Sequence, residues 1–204
     1  MINIFIVRHA LSEANKINCF SGRRDVPLSE EGKIQAKKLA EYFLSNYKVN
    51  KLYSSGLSRT NGTILPISEK TGLPIVAKPE FIEIDVGIWE GVNYYKVIED
   101  YPAEMKIWRE NIGMVHCPEG ESMAEVYKRA ELGLNKIVKE AKNGDSILIA
   151  THGGVIRCIQ SIVKNVLLEK MHTINWVNNA SLSQITYENG KFTPIFFGKD
   201  DYLQ

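Results

Sequence analysis

Apolar residues occupy five of the six positions from Ile2 to Val7, and the run stops at Arg8 and His9. A β-branched and aromatic run of that length is too short for a helix and predicts a strand buried on both faces, the kind that parallel sheets use. The pattern returns at residues 146–150, a second apolar strand broken by Thr151, His152, Gly153 and Gly154. Val155, Ile156, Ile159, Ile162 and Val163 then recur at helical spacing. Residues 51–55 and 75–77 predict two shorter strands between these stretches. Helical periods separate them. One helix spans about 29–45, with Ser29 as its cap, Glu30 and Glu31 at its positive end, and Ile34, Leu39, Ala40 and Phe43 recurring along it. A second covers 57–71 and is stopped by Gly72 and Pro74. A third covers 121–142, with Met123, Val126, Ala130, Leu134, Ile137 and Val138 on one stripe, and ends before Gly144. Strands alternating with helices predict an α/β protein, its first two strands closing a right-handed βαβ unit.

The remaining stretches are less periodic. Residues 11–27 read as one long loop, a kind of segment that is often functional on compact domains. Residues 81–91 set Glu83, Asp85 and Glu90 among apolar side chains and two glycines. Such acids are candidates for a raised pKa, although most acids beside apolar residues simply turn to water. Residues 92–118 look like an inserted pair of short helices, broken by Pro102 and Pro118. They carry Tyr94, Tyr95, Trp108 and His116, as suited to plain packing as to lining a pocket. The tail holds residues 173–177 and a hairpin of 182–187 with 191–197, joined through Asn189 and Gly190. No repeat or linker divides the chain, so residues 1–204 read as one domain.

Composition narrows the ligand. With 44% hydrophobic and 24% charged residues and a net charge of +1, the chain has no basic surface for nucleic acid or membrane. Any anion must be met by a few local cations, which points to a small ligand. Three cysteines without metal-ligand spacing argue against a disulfide framework or a zinc site. The first residues lack a basic leader, so a reducing cytoplasm is the default location.

The candidate chemistry sits where apolar runs end. Arg8 beside His9 at a strand terminus, and His152 before two glycines and a helix start, fall where open α/β sheets bind ligands. Arg59 opens a helix, where a cation opposes the helix dipole unless an anion lies between them; a solvated surface arginine is the equal alternative. Two histidines, two arginines and Glu83 form a coherent set for phosphoryl transfer, which needs fixed cations, a nucleophile and a proton donor.

Several motifs in order carry a resemblance. Val7 Arg8 His9 Ala10, with Glu13 and Asn15, resembles the Arg-His-Gly signature of the histidine phosphatase superfamily, the phosphoglycerate mutase-like proteins. Phe20 Ser21 Gly22 with Asp25, Pro27, Leu28, Ser29 and Gly32, Tyr53 to Thr60 around Arg59, Glu83 with Gly87, Trp89, Glu90 and Gly91, Gly120 Glu121 Ser122, and Ala150 to Gly154 resemble its later motifs. The resemblance implies a three-layer α/β/α fold with a mostly parallel sheet, no cofactor and no metal. It implies His9 as nucleophile, with Arg8, Arg59 and His152 on the phosphoryl oxygens, assisted by Asn15 and the Gly153 amide. Glu83 would be acid and then base. Ser21, Gly22, Arg23 and Tyr94 would meet the rest of the substrate, although Arg23 and Arg24 read equally as solvated.

The chain resembles the phosphatase branch, which includes α-ribazole and broad-specificity phosphatases, and this implies a small phosphorylated metabolite as the substrate. The glutamate-arginine pair and the lysine of the mutases are missing, since Ile84 follows Glu83 and Val92 Asn93 Tyr94 takes the later place. A mutase and a non-catalytic binding module are the alternatives, and either a monomer or a homodimer is compatible. Ala10 replaces the usual glycine, and one methyl there either crowds the phosphate or is absorbed.

Overall fold

The computed structural model describes residues 1–204. In chain order the strands are β1 (Ile2–Arg8), β2 (Lys51–Ser54), β3 (Ile75–Ala77), β4 (Ser146–Thr151), β5 (Leu182–Glu188) and β6 (Lys191–Lys199). The helices are α1 (Glu13–Lys16), α2 (Glu30–Asn46), α3 (Ser58–Thr71), α4 (Tyr94–Asp100), α5 (Pro102–Glu110), α6 (Met123–Glu140) and α7 (Gly153–Lys164).

The strands form one sheet in the order β3-β2-β4-β1-β5-β6. β3, β2, β4 and β1 run parallel, and β5 and β6 add an antiparallel edge. The sheet is therefore mixed, parallel across the part that carries the site. β4 lies between β1 and β2, so the first two strands do not pair although they belong to the same parallel layer.

Alternation along β1 explains the layering. Ile4 and Ile6, with Ile147 and Ile149, face a core that includes Leu134 and Ile137 of α6 and Ile156 and Ile159 of α7. Phe5 and Val7, with Leu148 and Ala150, face Leu39 and Phe43 of α2 and Ile64 and Ile67 of α3. Successive residues of a strand point to opposite faces, so a run that is apolar at both must be covered twice. Two helical layers do this.

Two segments differ from the sequence reading. Residues 11–27 hold the single turn α1, where Ser12 and Asn15 close a capping box that satisfies donors at the helix start. α6 begins at Met123 because Ser122 is its cap, again with a capping box, through Glu125. The inserted pair of helices within 92–118 is present as α4 and α5. No helix is long and apolar enough to cross a membrane.

Candidate active site

The register of β1 with β4 places Arg8 opposite Thr151, so the residues after the two strand ends, His9 and His152, lie side by side. Their ring centroids are 5.2 Å apart. The His9 amide donates to the Thr151 carbonyl at 2.8 Å, which ties one strand end to the other.

His9 is only 4% exposed. Its Nδ1 lies 2.8 Å from the Ala10 carbonyl oxygen. A carbonyl only accepts, so Nδ1 carries the proton and Nε2 keeps a free lone pair. Burial, then the charges of Arg59 and Arg8, hold the His9 pKa well below that of an ordinary histidine. The imidazole is thus kept neutral and nucleophilic. Ala10 is fully buried with Leu28, Ala36 and Ala180, so its methyl group fills a small apolar cluster.

A chain of hydroxyl groups sets the tautomer of His152. Thr60 donates to the Leu57 carbonyl at 2.7 Å, and Ser55 lies 2.9 Å from Thr60. With the Thr60 proton committed, Ser55 donates to Thr60 and accepts from His152 Nε2, which is 2.9 Å away. His152 Nδ1 is left buried without a partner. Burial and the neighbouring Arg59 depress this histidine too.

The arginines are also partly unspent. Arg59, fully buried in the first turn of α3, donates to the Gly22 carbonyl at 2.6 Å and to that of Arg24 at 2.8 Å. Arg8 donates to the Val177 carbonyl at 2.6 Å. The Nε of each is buried with no partner, and burial lowers the pKa of both guanidinium groups. Unpaired buried donors cost free energy unless something occupies the space beside them. Two such donors, Arg8 Nε and Arg59 Nε, and one unpaired acceptor, His152 Nδ1, come from three distant segments.

Glu83 accepts from the Ile84 amide at 3.0 Å and, weakly, from the Gly154 amide at 3.4 Å. Its charge acts on both Arg8 and Arg59. A methyl group at Gly154 would lie 2.7 Å from Glu83 Oε1, so glycine is what lets the start of α7 approach the acid. The strand of chain carrying Glu83 is held from behind by Arg129 of α6. That guanidinium donates to the carbonyls of Glu80 and Glu83 at 3.0 Å each, and to that of Ile82.

A cleft of about 540 Å³ opens beside Arg8 and Asn15. Asn15 Oδ1 accepts from Ser12 and from Asn179, which leaves its NH₂ group for the cleft. Phe20, Tyr94 and Trp108 form an aromatic wall, Phe20 lying 5.2 Å from Trp108 and 5.7 Å from Tyr94. Tyr94 thus lines the cleft. Ser21 faces a separate hollow beside Arg24, and Gly22 contributes its carbonyl to Arg59. The Arg23 guanidinium is occupied by Glu121 at 2.8 Å and Asp85 at 3.5 Å. Trp89 is fully buried packing, and His116 is exposed away from the cleft.

Three contributors carry no motif. Asn179 donates to the His9 carbonyl at 2.9 Å. Trp176 lines the cleft, its ring 4.6 Å from the Arg157 guanidinium, and Arg109 of α5 lines it from the insertion. Only the aromatic content of the tail and the insertion hinted at any of them.

The model for the histidine phosphatase superfamily (branch 1) matches residues 4–199, and the chain belongs to that superfamily. Phosphoserine phosphatase 1 of Hydrogenobacter thermophilus is 36% identical over 188 residues, covering 92% of this chain and 88% of that protein. The probable phosphoglycerate mutase GpmB of Yersinia pestis is 28% identical over 192 residues, covering 92% of this chain and 86% of its own. Among solved structures, YhfR of Bacillus stearothermophilus aligns over 100% of both chains with a TM-score of 0.94 at 22% identity, a likeness of fold. The superfamily and the helix-flanked sheet both agree with the sequence reading.

Proposed function

We propose that the chain is a phosphatase that hydrolyses small phosphomonoesters through a phosphohistidine on His9. The observation that carries this reading is the set of partnerless buried nitrogens of Arg8, Arg59 and His152 near an imidazole whose Nε2 is free. The two guanidinium donors suit the oxygens of a phosphoryl group, and their charges meet the charge that develops on it, while His152 Nδ1 joins them once it takes up a proton.

In the proposed first step the His9 Nε2 lone pair forms a bond to phosphorus while the ester P–O bond breaks. Glu83 gives its proton to the departing oxygen, and the alcohol leaves. In the second step Glu83 takes a proton from water, the water oxygen bonds to phosphorus, and the P–N bond breaks. Inorganic phosphate leaves and His9 is restored, still donating from Nδ1 to Ala10. His152 donates from Nδ1 only as an imidazolium, so binding of a phosphate dianion would draw a proton onto it.

The name of the phosphoserine phosphatase relative supports hydrolysis, whereas that of the GpmB relative raises phosphoryl transfer between positions. Ile84, directly after the acid, is 2% exposed and turned into the core, so it offers no grip on a second substrate group there. This favours release of phosphate. His9→Ala tests the reading. It should abolish acid-labile phosphoenzyme and reduce kcat by roughly a thousandfold or more, the ordinary cost of losing a covalent nucleophile. A variant retaining wild-type turnover would overturn it.

A further inference from the structure

The chain that follows His9 is held peptide by peptide. In the His9–Ala10 peptide the carbonyl oxygen accepts from Asn179 at 2.9 Å, and the amide donates to Thr63 Oγ1 at 2.8 Å. In the Ala10–Leu11 peptide the amide donates at 2.9 Å to Oε1 of Gln35 on α2, and the carbonyl oxygen is the one that takes the proton of His9 Nδ1. Leu11 is held at its other end too. Its carbonyl accepts from the amide and the hydroxyl of Ser29, the cap of α2, at 2.9 and 3.0 Å. A methyl group at Gly32 would lie 2.0 Å from that same oxygen, so glycine is what lets this stretch lie against the first turn of α2.

A side chain that meets a backbone amide has a plain structural use, because buried donors need acceptors. Its position gives Gln35 a second use. A trans peptide is planar, so its N–H and C=O point in opposite directions, and a group that fixes one aims the other. Gln35 fixes the N–H of Ala10–Leu11 and thereby aims the carbonyl at the imidazole. His9 Nδ1 has no other hydrogen-bond partner. The two nitrogens of a neutral imidazole share one proton, so a carbonyl that turned away would free that proton to sit on Nε2 and remove the attacking lone pair.

Resting on the phosphatase reading, we infer that Gln35 is a positioning residue for the nucleophile: it aims the Ala10 carbonyl, which keeps the proton on Nδ1 and leaves Nε2 free to attack. Gln35 does not line the cleft, so it acts through the backbone alone.

The test reads the tautomer in the resting protein and the chemistry separately. NMR of ring-nitrogen-labelled histidine, with the His9 signals assigned by their loss in His9→Ala, should show Nδ1 protonated and Nε2 bare in the wild type. Gln35→Met removes the acceptor at nearly constant size and should bring protonated Nε2 into the spectrum. In single turnovers of p-nitrophenyl phosphate, whose leaving group needs no proton from Glu83, phosphorylation of His9 should slow by about tenfold or more. The inhibition constant of inorganic phosphate, which reports Arg8, Arg59 and His152, should stay within about twofold. Gln35→Glu presents an oxygen at the same reach and should restore both tautomer and rate. Gln35→Asn is one methylene too short, should behave as Gln35→Met does, and replaces it if the methionine variant does not fold. An unchanged tautomer or an unchanged phosphorylation rate in the folded variant overturns the inference, as does a loss in Gln35→Glu equal to that in Gln35→Met. Absence of a phosphoenzyme in the wild type overturns the phosphatase reading instead, and a tautomer that still responds to Gln35→Met leaves the control of His9 by Gln35 standing.

Discussion

Arg129 grips both carboxylate oxygens of Glu121, one through Nε and the other through Nη2, each at 3.0 Å. The same guanidinium holds the carbonyls around Glu83, and Glu121 also accepts from the Asp85 amide at 3.0 Å. Two side chains thereby fix the backbone on both sides of the proposed acid. Lysine cannot reproduce a planar fork, so Arg129→Lys should let Glu83 drift. A misplacement of about 1 Å costs on the order of a hundredfold in a positioned step. The loss should fall on alkyl phosphates, whose leaving oxygen needs a proton, and far less on p-nitrophenyl phosphate. Equal losses on both substrates would make Arg129 a purely structural residue. Glu121→Gln provides a second variant with the same expected asymmetry.

Gly154 sets the distance between the start of α7 and Glu83. In Gly154→Ala the new methyl group meets a carboxylate oxygen that the Ile84 amide already holds. The side chain must rotate away, and kcat on alkyl phosphates should fall by about tenfold or more. The melting temperature should stay within a few degrees, because alanine suits a helix better than glycine. A normal kcat would show that Glu83 does not act from this position.

Ala10 gives the opposite case. Its methyl group is buried in an apolar cluster, and Ala10 is not among the residues of positive φ. Ala10→Gly should therefore cost about 1 kcal/mol through the lost methyl and the freer unfolded chain. Activity should remain within about twofold, read by urea denaturation beside steady-state kinetics. A gain in turnover would mean that the methyl crowds the phosphate after all.

The two depressed histidines make stability depend on pH. Their folded pKa values lie below the unfolded value of 6.5, so between those limits the unfolded chain binds more protons. Stability should therefore fall as the pH drops below 6.5, by up to about 1.4 kcal/mol per pH unit for each histidine. Urea midpoints at pH 7.5 and 5.5 measure the slope, and His9→Asn should remove about half of it. The same shift keeps His9 unprotonated in mild acid. Corrected for the second ionisation of the substrate phosphate, near about 6, kcat/KM should show no acid limb at an ordinary histidine pKa.

Local patterns made much of the scaffold readable. β1 and β4 are apolar at both alternating sets of positions, Ile4 to Val7 and Ile147 to Ala150, because both faces are covered, and Ser29 caps α2 as its side chain suggests. The single turn α1 has no period to detect, being held by its capping box. The insertion of β4 between β1 and β2 is a matter of which strands meet, which no short stretch encodes. In the site, the strand-end residues are legible because each belongs to a compact motif. Arg23 looked free only because its partners Asp85 and Glu121 lie far along the chain. Arg129 had no motif at all: a cation beside Ala130, at the edge of the apolar stripe of α6, is its sole mark.

β1 lies between β4 and β5, and both of those strands come from the last third of the sequence. A ribosome therefore delivers His9 long before the strands that flank β1. Until then Ile4, Phe5, Ile6 and Val7 are a sticky, unclaimed edge, and a nascent chain stalled before residue 146 would be both inert and a natural client for chaperones. Competence arrives late and all at once, when the closing strands dock on either side.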